Sequence, residues 1–117
     1  MADKPLVLLG SSRRDLRAFP ALARRLAGFQ LRRVQHGLDP DDWKAMPAVG
    51  PGVREIRIHV AGAYRVFYVT TRAEAIYVLH AFEKKTQKTS ARDLEIGRER
   101  YRVIATLRQQ HGKEERR

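Results

Sequence analysis

Apolar residues along this chain follow two different periods, and the change between them divides it. Pro5-Leu6-Val7-Leu8-Leu9 is a short apolar run closed by Gly10, which predicts one buried strand. Ser12 and Asp15 have the spacing of a capping box, and Leu16 and Phe19 supply the apolar edge of a short helix. Pro20 separates it from a longer helix, because proline is tolerated only in a first helical turn. There Ala23, Leu26, Ala27, Gln30 and Val34 recur at helical spacing, with Gly37 as the stop. Arg24, Arg25, Arg32 and Arg33 fall on the other face. Residues 38–53 contain three prolines and two glycines, which predicts a loop, with Trp43, Met46 and Val49 pinning it to the core.

From Arg54 the period becomes two. Ile56, Ile58 and Val60 alternate with Glu55, Arg57 and His59, the pattern of a half-exposed strand. Ala61-Gly62-Ala63 predicts a three-residue hairpin loop, and residues 64–70 the return strand. Residues 75–82 are apolar on both faces and predict an interior strand. Ser90 and Asp93 form a second capping box ahead of a last helix, whose Leu94, Gly97, Tyr101 and either Ile104 or Ala105 face inward. From about residue 110 the chain reads as a charged, frayed tail. The whole, residues 1–117, predicts one α+β domain: a small antiparallel sheet with helices packed on one face.

A buried face fixes hairpin register. With the loop at 61–63, Val60 pairs with Tyr64, Ile58 with Val66 and Ile56 with Tyr68. The opposite face then gathers Arg57, His59, Arg65 and the ring of Phe67, with Glu55 nearby. The third strand ends in Glu83-Lys84-Lys85, and one of the two lysines must join that face. His80 shares a face with Lys84, so it belongs either to the cationic cluster or to the core. Alternating Arg and His on a strand is equally the pattern of a solvated surface.

Charge sharpens this picture. Twenty-four Lys and Arg oppose thirteen Asp and Glu, a formal +11 with a pI near 10.9. Such an excess attracts polyanions by counterion release, which points to RNA, an anionic membrane surface or an acidic protein. No run reaches the ~18 apolar residues of a membrane span. There is no cysteine and no secretion signal, so a cytoplasmic location is expected. Asp39, Asp41 and Asp42 lack the spaced ligands of a calcium loop and read as turn formers. The four histidines are too scattered for a metal site.

A cluster of Arg, Lys and His suits cleavage of RNA. The ribose 2′-hydroxyl is an internal nucleophile, so the protein needs only to orient the chain, move two protons and stabilise charge on phosphorus, without metal or cofactor. Arginine supplies a permanent charge and a bidentate fork, and histidine titrates near neutrality. Tyr64, Phe67 or Phe82 offers rings for base stacking. Lys88, Arg54, Arg32 and Arg33 are further candidates to hold RNA.

Val53-Arg-Glu-Ile-Arg-Ile-His59, Tyr64-Arg-Val-Phe-Tyr68 and His80-Ala-Phe-Glu-Lys-Lys-Thr-Gln-Lys-Thr89, with Gln30-Leu-Arg-Arg-Val-Gln-His-Gly37, resemble the phage-derived branch of the RelE/HigB toxins, over roughly residues 4–108. The resemblance implies a compact α+β toxin fold, ribosome-dependent cleavage of mRNA, and a cognate antitoxin, often of helix-turn-helix type. It also implies that Arg57 and Arg65 on the hairpin and Lys84 and Lys85 at the end of the last strand act in cleavage, with Arg65 the firmest match. Related toxins often carry a catalytic Tyr or His near the C-terminus. Here the chain offers only Tyr101 and His111, so His59 and His80 stand as local substitutes. Two other functions fit the same charge: an RNA-binding module without cleavage, and a basic protein that binds an acidic partner.

Overall fold

Five strands form one sheet in the order β1-β5-β4-β3-β2, the strands being β1 (Leu6–Leu8), β2 (Trp43–Ala45), β3 (Val53–His59), β4 (Ala63–Val69) and β5 (Ile76–Glu83). Three helices complete the chain: α1 (Ser12–Arg17), α2 (Ala21–Gln35) and α3 (Ala91–Glu115). The computed structural model describes residues 3–115, with side chains through Gln110. The α+β class is therefore as expected. β1 runs parallel to β5, and the other pairings are antiparallel.

Helices cover both faces rather than one. Leu16 of α1, Phe19 of the link that follows it, and Ala23, Ala27, Leu31 and Val34 of α2 pack against Ile56, Ile58, Tyr64, Val66, Tyr68, Ile76 and Val78. The small side chains of Ala23 and Ala27, both fully buried, let α2 lie close to the sheet. On the other face Ile104, Leu94 and Tyr101 of α3 meet Val53, Phe67, Val69, Tyr77 and Leu79, along with Val49 and Met46 from the loop before β3. Helix α3 fits there because Gly97 has no side chain: a Cβ would stand 3.0 Å from both Phe67 and Val49. Leu94, Gly97, Tyr101 and Ile104 thus face inward as their spacing predicts.

The N-cap half of the box expected at Ser90 forms, with Ser90 Oγ accepting from the Asp93 amide at 3.0 Å, while the Asp93 carboxylate accepts from the Ser90 hydroxyl at 2.7 Å. At α1 the expected capping box does not form: the N-cap position falls on Ser11, whose side chain caps no backbone amide and donates instead to the Asp15 carboxylate, while Ser12 is buried. Gly37 ends α2 with φ +83°. β2 was expected as loop. It is three exposed residues between Pro40 and Pro47, too short for any alternation to register, and it pairs along β3 at the sheet edge. α3 remains helical to Glu115, through most of the segment expected as a tail. Arg116 and Arg117 lie outside the described residues.

Candidate functional site

The hairpin closes two residues away from the expected register. Its loop is Val60-Ala61-Gly62, with His59 opposite Ala63, Ile58 opposite Tyr64, Arg57 opposite Arg65 and Glu55 opposite Phe67. The loop keeps three residues but starts one earlier, and positive φ at Ala61 (47°) and Gly62 (150°) accommodates its turn. A shift of two preserves every face assignment, since side chains alternate with period two. Arg57 therefore stands across from Arg65 rather than from Phe67.

Alternation carries three rows of side chains across the sheet on the α3 side. One is His80, Phe67, Glu55 and Lys44; the next is Phe82, Arg65 and Arg57, with Asp42 beside Arg57; the last is Lys84, Ala63 and His59. A bulge between Phe67 and Tyr68 keeps His80 and Phe82 on this side, where their rings stack 4.8 Å apart. Helix α3 and the loop before β3 cover the Phe67 and Val53 end, which leaves the hairpin end as the cationic part.

Its centre is a buried ionic cluster. Glu55 is 2% exposed, and its Oε1 lies 3.5 Å from Nε of both Arg57 and Arg65. Two arginines facing each other across adjacent strands would repel, so Glu55 is what lets them coexist. Neither Nε reaches hydrogen-bond geometry with a protein acceptor, and Glu55 Oε2 is likewise unpartnered. Arg65 is 5% exposed and donates Nη1 to the Tyr64 carbonyl at 3.0 Å. Burial lowers its pKa, opposed by Glu55. Arg57 remains a third exposed at its side chain. Beyond it, His59 is open to solvent, with Nε2 3.4 Å from Asp42 Oδ2. Lys85 and Lys88 are exposed on the loop after β5, and Lys84 is partly so. Arg57, His59, Arg65 and Lys84 are thus brought together. Lys44 escaped sequence reasoning because β2 itself did, and the central role of Glu55 escaped it because that role depends on the hairpin register.

The other candidates lie elsewhere. Phe67 is fully buried and Tyr64 is 5% exposed against Phe19, so neither ring offers a face for a base; they are core residues. Phe82, 8% exposed, packs edge-on to Phe67. Arg54, on the opposite side of the sheet, pairs with Asp39 at 2.9 Å. Arg32 and Arg33, on α2, pair with Asp3 and Asp41. These pairs also occupy two of the three aspartates of the 39–42 turn.

His80 resolves toward the core. It is 5% exposed, and its Nε2 lies 2.7 Å from Asp93 Oδ1, tying β5 to the first turn of α3. Its pKa is lowered, chiefly by burial, with Asp93 opposing. A base whose folded pKa lies below its unfolded value contributes stability above the ordinary histidine value, ~6.5, and loses it as pH falls. The thermal midpoint is therefore expected to drop as pH falls below about 6.5, and to depend less on pH in His80→Asn. An equal slope in both proteins would contradict this.

Beside the same strand, α1 and α3 bound a cleft of about 890 Å³ that Arg14, Phe82, Glu83, Arg92, Asp93 and Arg100 help line. Arg100 closes part of it by donating to the Leu79 carbonyl at 2.9 Å and to Ser11 Oγ at 3.0 Å. No helix among the described residues is long and apolar enough to cross a membrane.

Fold and site together define a small basic α+β protein with a cationic cluster at the hairpin end of its sheet. Residues 14–102 match the family model described as Phage derived protein Gp49-like (DUF891), and the chain belongs to that family. The family is associated with the toxins of toxin–antitoxin systems. No curated protein matches the chain.

Proposed function

We propose that this protein is the toxin of a toxin–antitoxin pair and a metal-independent endoribonuclease that cuts mRNA on the ribosome in the cytoplasm. The observation that carries this is the Arg57–Glu55–Arg65 cluster, with His59 and Lys84 in the adjoining row. Family membership supplies the toxin context. The 2′-oxygen attacks phosphorus, the bond to the 5′-oxygen breaks, and the products are a 2′,3′-cyclic phosphate and a 5′-hydroxyl.

Arg57, Lys84 and Lys85 hold the scissile phosphate and stabilise charge on the phosphorane. Arg65, more deeply buried on the neighbouring strand directly across from Arg57, sets with Glu55 the direction of that guanidinium. His59 is the exposed group able to move a proton, oriented by Asp42. Lys88 adds a phosphate contact from the loop. The partner is a cognate antitoxin, of helix-turn-helix type by the resemblance. Burial of Arg65 and His80 favours one alternative, an RNA-binding module that no longer cuts.

Induced expression separates the two. Wild type is expected to arrest translation and fragment mRNA, and the double variant His59→Ala/Lys84→Ala to do neither while still folding. Intact mRNA with wild type, despite measurable RNA binding, would favour the non-catalytic module.

A further inference from the structure

Trp43, the chain's one tryptophan, was expected to pin the loop to the core, but it is 36% exposed on edge strand β2. Met46 and Val49 do the pinning instead. One face of the Trp43 ring is occupied: the Arg54 guanidinium carbon lies 4.0 Å from a ring centroid. Asp39 in turn holds Arg54 through a 2.9 Å ion pair. Ring, guanidinium and carboxylate thus form a braced stack, in which cation–π attraction limits the ring's freedom.

The charges around this stack are compensated. Asp39 meets Arg54, and Asp41 meets Arg33 and the Gln30 amide. A phosphate track would need uncompensated cations, whereas a near-neutral surface with an oriented indole suits the π-face of a base. Position supports the same occupant. Lys44, the next residue, projects to the side of the sheet that carries Arg57 and Glu55. β2 is the last strand of the sheet. A single strand leaving the cationic cluster past Lys44 would cross this edge and meet Trp43.

We propose that Trp43 is a stacking platform for a base of single-stranded RNA that passes over the β2 edge, with Arg54 and Asp39 bracing the ring. This rests on the proposed RNA contact at the Arg57 face. It also gives Arg54 a part in RNA binding, through Trp43 rather than through phosphate. Stacking of this kind tolerates any base, so it would set grip and path rather than sequence preference.

The test uses the full chain and an end-labelled 2′-O-methyl oligonucleotide of mixed sequence, which lacks the 2′-hydroxyl nucleophile. Anisotropy reads binding, and the emission of Trp43 reads stacking in the same titration. Trp43 emission is expected to be quenched in step with the anisotropy. Trp43→Ala should bind roughly 5- to 100-fold more weakly. Trp43→Tyr, which keeps a ring and guards against a disturbed loop, should retain most of the affinity. Binding without quenching, or equal affinity in Trp43→Ala, overturns the platform and leaves the exposed ring to a protein partner. No anisotropy change in wild type overturns both the platform and the RNA contact on which it rests, whereas loss confined to Trp43→Ala supports both.

Discussion

Arg65→Ala is expected to lose about 3–5 kcal/mol of stability, because it empties the space of a buried side chain and leaves Glu55 with only the partly exposed Arg57 as counterion. Glu55 and Arg65 are each at most 5% exposed, so water cannot take the place of the missing guanidinium without opening the sheet. For a domain of this size the thermal midpoint would fall by roughly 10–25 °C. Replacing the pair together, as Glu55→Leu/Arg65→Met, should recover much of the loss, since a buried ion pair exchanged for apolar side chains of similar volume is often neutral. Thermal unfolding of wild type and the two variants checks this. A midpoint for Arg65→Ala within a few degrees of wild type would mean that Glu55 does not depend on Arg65. The consequence for function is practical: Arg65→Ala would lose activity through folding, so it cannot by itself locate the chemistry.

Arg57→Ala separates chemistry from folding. Its side chain is partly exposed, and after its removal Glu55 keeps Arg65 as counterion. Stability should therefore change by no more than about 1–2 kcal/mol, while cleavage of ribosome-bound mRNA falls roughly 10²- to 10³-fold, the usual loss when one group that stabilises transition-state charge is removed. Arg57→Lys should restore only part of the rate, because lysine keeps the charge and loses the planar fork. Cleavage unchanged in a folded Arg57→Ala protein would move the phosphate site away from this face.

The balance of legible and hidden features follows from what each residue depends on. Helices α1, α2 and α3 could be read locally from their apolar stripes, although the α1 cap and the end of α3 fell elsewhere than expected. The cationic face could also be read, because strand alternation assigns faces whatever the register. The register could not: both hairpin closures bury Ile56, Ile58, Tyr64, Val66 and Tyr68, and the choice rests on backbone conformation at Ala61 and Gly62. Glu55 was visible on the right face, but its place between two arginines depends on that register. β2 has no pattern of its own and exists through its pairing with β3, which hid Lys44 and exposed Trp43. His80 was ambiguous because its burial is decided by α3, which covers a face expected to be open.

Cleavage of mRNA by the Arg57 face can be read by incubating the purified protein with programmed ribosomes and identifying the ends of the fragments. The expected fragments carry 5′-hydroxyl ends and 2′,3′-cyclic or 3′-phosphate ends, form without added metal, and are lost in folded Arg57→Ala. Intact mRNA, or fragments bearing 5′-phosphates, would contradict this.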